Sequence, residues 1–286
     1  MASLAALRTR IDALDRAMHL LLIERSEVID SLIKIKGTSL PGAAFRPGRE
    51  AQMMRALVQR HRGALPLTTV EHIWREIITT FTRMQAPFAL TLEGGKNEAR
   101  LRDLARFYFG FSVELTLARD AAAIVERIAA TGTDLGLLSL TAKPGQGIWW
   151  RGLGGAGRPQ VMTLLPFIKI ADRPADTPAL VISPPLSEAG AGELSVIAAE
   201  LCSGTAQDLK ASVDIGLLAE AEEAGQHEVL LVMPAAMAGA SFVPLAASLG
   251  VGLARPRSLG TLSQGISIGM ADLPFYRTLL PNEASQ

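Results

Sequence analysis

Arg25, Lys36, Arg8, Arg49, Glu50 and Gln85 are the side chains whose types and spacing could do chemistry together. Arg25 holds the one charged position in a series of Leu4, Leu7, Ile11, Leu14, Met18, Leu21, Val28, Leu32 and Ile35, spaced alternately by three and four. A helix that buries this seam also buries a guanidinium, which is costly unless an anion meets it. Lys36 follows eleven residues later, about 20° around the same helix, and so faces nearly the same way. Two cations turned into a helical interior predict a pocket for a small dianion. Gln85 follows Phe81 by four residues and turns an amide toward the core face of another helix.

The geometry forbids one chain from using all of these residues on one small ligand. Arg8 and Arg25 are seventeen residues apart, roughly 25 Å along a continuous helix. Two extended arginines still leave about 10 Å between their heads over that rise. A ligand touching both takes Arg8 from a second chain. A helix of roughly 50 Å with a heptad seam also needs a partner to cover it. Both arguments predict an intertwined helical dimer.

The elements that position these residues are three helices. The first runs from about Ala2 to Lys36 and stops at Gly37. The second starts near Pro47 or Gly48 with Met53, Met54, Leu57 and Val58 on its apolar face. The third is capped by Thr68 or Thr69 and carries Val70, Ile73, Trp74, Ile77, Ile78, Phe81 and Met84 before Pro87. Beyond Pro87 the pattern becomes α/β. FALTLEGG, VELTL and LGLLSL read as strands, with helices over 99–108 and 121–130, which predicts a small open sheet. Residues 141–160 read as a loop. From Thr177 the predicted series is strand ALVIS, helix ELSVIAAEL, strand LKASVDIGLLAE, strand EVLLVMP, helix SFVPLAASLG and a strand near ARPRSLGTL. That order is β-α-β-β-α-β, as in a ferredoxin-like unit. The fold class is therefore multidomain: an all-α dimer unit at 1–86, α/β units at 87–175 and 176–272, and a peripheral tail at 273–286.

LRTRIDALD (7–15), LLIERSEVIDSLIKIK (21–36), RPGREAQMM (46–54) and IWREII…MQ (73–85) resemble the all-helical class of chorismate mutase, in the form fused to prephenate dehydratase. The resemblance covers residues 4–86. It implies that Arg8 serves the partner subunit's site, that Arg25 binds a carboxylate, and that Lys36 meets a carboxylate and the ether oxygen. Arg49 and Glu50 then match the pair near the substrate hydroxyl, and Gln85 the amide on the ether oxygen. Arg46 stands where an acidic residue can occur, and Phe81 where a serine often lies near a carboxylate. On this reading Lys36, Gln85 and Arg25 are catalytic, and Arg8, Arg25, Lys36, Arg46, Arg49, Glu50, Phe81 and Gln85 bind chorismate. A pericyclic rearrangement needs no nucleophile, general acid or cofactor. It needs orientation, bidentate carboxylate contacts and donors where charge grows.

The region after Pro87 resembles a degenerate prephenate dehydratase followed by an ACT-like module, which implies an amino-acid effector as a possible partner. LEGGKNEARLRDLARFYFG is similar to that enzyme's opening. The family's Thr-Arg-Phe would fall at Thr177-Pro178-Ala179, where only the threonine remains. The stretch 88–172 has length for one lobe rather than two. The expectation is a mutase without dehydratase activity. Its rivals are a bifunctional mutase–dehydratase, an isochorismate pyruvate lyase, and a non-catalytic helical scaffold or amino-acid sensor.

Composition excludes other classes. The 28 basic and 28 acidic side chains cancel, so there is no broad basic field for nucleic acid. The single cysteine, Cys202, rules out an internal disulfide. No stretch is long and apolar enough for a membrane span, and MASLAALRTRIDALD has no cleavable apolar core, so the expected location is the cytoplasm. GLGGAG at 152–157 matches G-x-G-x-x-G, but Arg158-Pro159 follows instead of a helix, so it reads as a loop. Trp149-Trp150 reads as a packing contact at a sheet edge or domain boundary.

Overall fold

The computed structural model describes residues 3–36, 44–140, 147–186, 192–209, 212, 214–239, 242–270 and 276–279; of Lys36, Thr278 and Leu279 only the backbone is described. Three helices come first: α1 (Leu4–Lys36), α2 (Pro47–Arg60) and α3 (Leu67–Gln85). Proline at the start of α2 fits a position whose N–H has no helical partner, and Glu50 in the first turn suits the positive helix end. Ala51, Met54, Leu57 and Val58 give α2 a buried face at helical spacing. The expected threonine cap of α3 is absent. The helix begins earlier, at Leu67 after Pro66, so Thr68 and Thr69 lie inside its first turn.

The face that α3 buries also differs from the expected stripe. Glu71, Arg75, Ile78, Thr79, Phe81 and Thr82 are buried, while Ile73 and Met84 are exposed. The charges tolerate burial because partners from distant segments meet them, as set out below. In α1 most of the apolar seam is exposed: Leu7, Leu14, Met18 and Leu21 are exposed and Ile35 is 85% exposed, while Leu32 is half-buried.

The α/β part opens with β1 (Leu90–Glu93), α4 (Glu98–Phe109), β2 (Leu115–Ala118), α5 (Ala121–Thr131) and β3 (Leu135–Ser139). A 3-10 turn at Trp149–Gly152 leads to β4 (Gln160–Leu165), β5 (Ile168–Ile170) and β6 (Ala179–Ser183). These build a five-stranded sheet in the order β2-β1-β3-β6-β4, parallel between β1, β2 and β3 and antiparallel from β6 onward. The ALVIS strand, expected to open the second α/β unit, is β6, paired between β3 and β4. The boundary expected between 175 and 176 therefore precedes a strand of the first sheet. GLGGAG is a turn, with Gly154, Gly155 and Gly157 at positive φ, followed by β4 rather than a helix.

Then follow β7 (Leu194–Ser203), α6 (Ala206–Leu209), β8 (Gly216–Glu223), β9 (Gln226–Pro234), α7 (Phe242–Ser248) and β10 (Gly252–Leu262). The antiparallel order β10-β7-β9-β8 is the ferredoxin-like connectivity, begun one strand later than expected. ELSVIAAEL, expected as a helix, is β7. Val196 and Ala198 enter one core with Trp150 and Ile182, while Ile197 and Ala199 enter another with Phe242 and Ala246. A strand buried on both faces loses the alternation that marks a strand, and its apolar run mimics a buried helix. The tail is not wholly peripheral. β11 (Gly265–Ile268) and β12 (Tyr276–Leu279) form a small parallel sheet with β5, and the Tyr276 hydroxyl donates to Pro166 O at 2.8 Å.

One core joins the helices to the first sheet. Met54, Leu57, Val58 and Ile78 pack with Leu90, Leu92, Leu101, Leu104 and Phe167. The helical region thus rests on the α/β region through α2 and α3. On the far side β10 crosses β4 so closely that a Cβ on Gly260, at φ +144°, would lie 2.4 Å from Val161 O.

Candidate active site

Arg25, Ile29 and Leu32 from the last third of α1 meet Arg46, Gly48, Arg49, Glu50 and Met53 from the start of α2, and Ile78, Phe81, Thr82 and Gln85 from the end of α3. Together they line a cavity of about 490 Å³. Its size lies within the range usual for small-molecule sites, about 300–1,000 Å³. Each element reaches the cavity for a local reason. The long seam of α1 continues past Arg25, the Pro47 start aims the first turn of α2 inward, and α3 ends at Gln85 beside it.

Arg25 is the electrostatic centre. Its Nη1 is buried and has no hydrogen-bond partner among the described residues. Its guanidinium lies over the Phe81 ring, 4.4 Å from the centroid. Burial pulls its pKa below the ordinary arginine value. Arg46 and Arg49 line the same cavity, Arg49 with an exposed side chain. The Gln85 Nε2 donates to Phe81 O at 3.0 Å, which leaves a second N–H on that amide for a ligand. The wall is therefore rich in donors and positive charge, suited to carboxylates.

Glu50 is the exception in charge. Its Oε2 lies 3.2 Å from Arg75 Nη1. Burial pushes its carboxyl up, and Arg75 opposes that shift. Glu50 can accept a hydrogen bond from a ligand hydroxyl while Arg75 holds its other oxygen.

Six of the residues singled out in the sequence, Arg25, Arg46, Arg49, Glu50, Phe81 and Gln85, thus line one cavity. Arg8 does not; it is exposed far up α1. The expectation for the Lys36 side chain lies outside the described residues. Sequence reasoning missed Arg75 and the polar cluster behind it. Tyr108 Oη donates to Glu71 Oε1 at 3.0 Å and accepts from Phe167 N at 2.9 Å. Glu71 pairs with Arg173 at 3.3 Å, with both side chains fully buried, and Arg173 donates to Ile168 O. Burial, with Glu71 beside it, raises the Tyr108 pKa, so its hydroxyl keeps the proton it donates. The four-residue step from Glu71 to Arg75 was the only signal in the sequence, and Arg173 had none.

Trp150 and Arg151 make a second polar knot, between the two larger sheets. Glu228 accepts from Trp150 Nε1 at 3.0 Å, Arg151 Nε at 2.8 Å and Arg257 Nη2 at 3.1 Å. Among the described residues no group of three or more His, Cys, Asp or Glu could hold a metal, and no helix is long and apolar enough to cross a membrane.

Comparison with known proteins bears on the helical region first. Residues 7–86 match the family model for chorismate mutase type II. The bifunctional chorismate mutase/prephenate dehydratase of Stutzerimonas stutzeri is 29% identical over 127 residues, 43% of this chain and 34% of that protein. That of Neisseria gonorrhoeae is 30% identical over 87 residues, 30% of this chain and 23% of its own. The chain thus spans only about a quarter to a third of the length of these curated relatives. Among solved structures, prephenate dehydratase from Arthrobacter aurescens in complex with L-Phe aligns over 61% of this chain and 90% of that one, at 11% identity and a TM-score of 0.38. The helical region at residues 7–86 is thus similar to the chorismate mutase type II family.

Proposed function

We propose that the protein is a chorismate mutase, converting chorismate to prephenate in aromatic amino-acid synthesis in the cytoplasm. The observation that carries the reading is Arg25, whose buried Nη1 has no hydrogen-bond partner among the described residues, lining one cavity with Arg46, Arg49 and Gln85. A partly buried cation without a counter-charge is a cost to the fold, and a dicarboxylate removes it. Arg25 then holds one carboxylate, and Arg46 and Arg49 add positive charge at the mouth. Lys36 and Gln85 donate to the ether oxygen as its bond breaks, and Glu50 accepts from the hydroxyl. The reaction gains its rate from orientation and from donors set in place before charge develops.

The exposed seam of α1 supports a homodimer in which a second copy covers Leu7, Leu14, Met18 and Leu21 and Arg8 completes the partner's site. The four-stranded unit is read as ACT-like, with an amino-acid effector as its expected ligand. The sheet between is read as a dehydratase-like remnant without that activity, since Pro178 and Ala179 stand at the expected motif.

Loss of chorismate absorbance, with separation of the products, tests the reading. Prephenate alone is expected. Phenylpyruvate in addition would make the enzyme bifunctional. Pyruvate released from isochorismate, with chorismate untouched, would make it a lyase.

A further inference from the structure

Glu50 sits in the wall between two spaces. It lines the large cavity with Arg25 and Gln85, and it lines a crevice of about 40 Å³ with Arg75, Tyr108 and Phe167. Arg75 reaches it from that crevice, through the face of α3 turned toward the α/β region. The Arg75 guanidinium lies 5.1 Å from the Tyr108 ring centroid and 5.8 Å from that of Phe167. Those rings belong to α4 and to the segment between β4 and β5, and the Tyr108 hydroxyl is fixed by Glu71 and by Phe167 N. The seat of Arg75 is thus built by residues outside the helical region.

We propose that Arg75 is a positioning residue for the mutase site, holding the Glu50 carboxylate as an acceptor for the substrate hydroxyl from a platform that the α/β region supplies. This rests on the chorismate reading above. Three arginines, Arg25, Arg46 and Arg49, line the cavity on Glu50's open side. Unanchored, its carboxylate would swing to pair with one of them and remove a cation meant for a substrate carboxylate. Arg75, itself set against the two rings, keeps Glu50 on the wall. The α/β region then contributes to the first reaction even where its own chemistry is lost.

The test is a double-variant cycle on the full-length protein with chorismate as substrate. A hydroxyl contact made equally in ground and transition states appears in KM. Arg75→Met is expected to raise KM about tenfold with kcat within about twofold, and to add less than about twofold to KM in a Glu50→Gln background. Arg75→Lys, which keeps the charge without the fork, is expected to recover part of the loss. Should Arg75→Met not fold, Arg75→Lys runs through the same cycle with the same expected silence over Glu50→Gln. An equal cost in both backgrounds would overturn the proposal and leave Arg75 a structural residue, with the mutase reading intact. No chorismate turnover by the folded parent protein would overturn that reading and this proposal together.

Discussion

The Arg25 guanidinium rests on the Phe81 ring at 4.4 Å while its buried Nη1 meets no acceptor among the described residues. A cation–π contact contributes roughly 0.5–2 kcal/mol, which does not replace the charge-assisted hydrogen bonds a guanidinium loses on burial. Phe81 therefore orients the cation without satisfying it.

A stability–activity trade at Arg25 follows. Arg25→Leu continues the apolar seam and removes the unsatisfied cation, so it is expected to raise the thermal midpoint. The same change should lower kcat/KM by about a hundredfold or more, the scale for removing one preorganised donor. Calorimetry and the chorismate assay on one preparation check both halves. A lowered midpoint with turnover retained would mean that Arg25 is a structural residue.

Arg8 and Gln85 test the dimer. Arg8→Ala and Gln85→Ala homodimers should each be nearly inactive. Mixed and re-equilibrated, they should recover about a quarter of parental activity, since half of the dimers are mixed and each of those carries one intact site. Native mass spectrometry reports the mixing. Full mixing with no recovery would place Arg8 and Gln85 in the same subunit's site.

Tyr108→Phe deletes a hydroxyl that both donates to Glu71 and accepts from Phe167 N. Two buried polar groups are then left short, at a cost of about 1–3 kcal/mol each where water cannot reach them. The urea midpoint should fall with an unchanged slope. No change would mean that water replaces the hydroxyl.

Periodicity made the three helices legible, and the positions of Arg25, Arg46, Arg49, Glu50, Phe81 and Gln85 on them were enough to bring all six to one cavity. Helical spacing is a local property, and the cavity walls are helical. The buried pair of Glu71 and Arg173 was illegible because its partners are far apart in sequence. β7 was misread because both of its faces are covered, so Val196 and Ile197 are equally buried in opposite cores. The place of β6 in the first sheet depends on pairing with β3 and β4, which no local pattern records.

Glu228 gives the inter-sheet knot a pH dependence. Burial alone would raise its pKa, but hydrogen bonds from Arg151 and Arg257 hold it below the ordinary carboxylate value. A depressed folded-state pKa contributes stability above the unfolded value, about 4.3, that is lost as pH falls through the folded value. Glu228→Gln should therefore lower the thermal midpoint at neutral pH, and the gap should close on acidification below about pH 4. A gap that stays constant with pH would assign the loss to packing around Trp150 rather than to charge.

The most direct test of the central claim is chorismate consumption by the purified protein, compared with Lys36→Ala and Gln85→Ala. Prephenate formation that falls by about a hundredfold or more in both variants is the predicted result, because each removes a proposed donor to the ether oxygen. A folded protein that leaves chorismate unchanged would contradict the account and leave the helical region a scaffold or sensor.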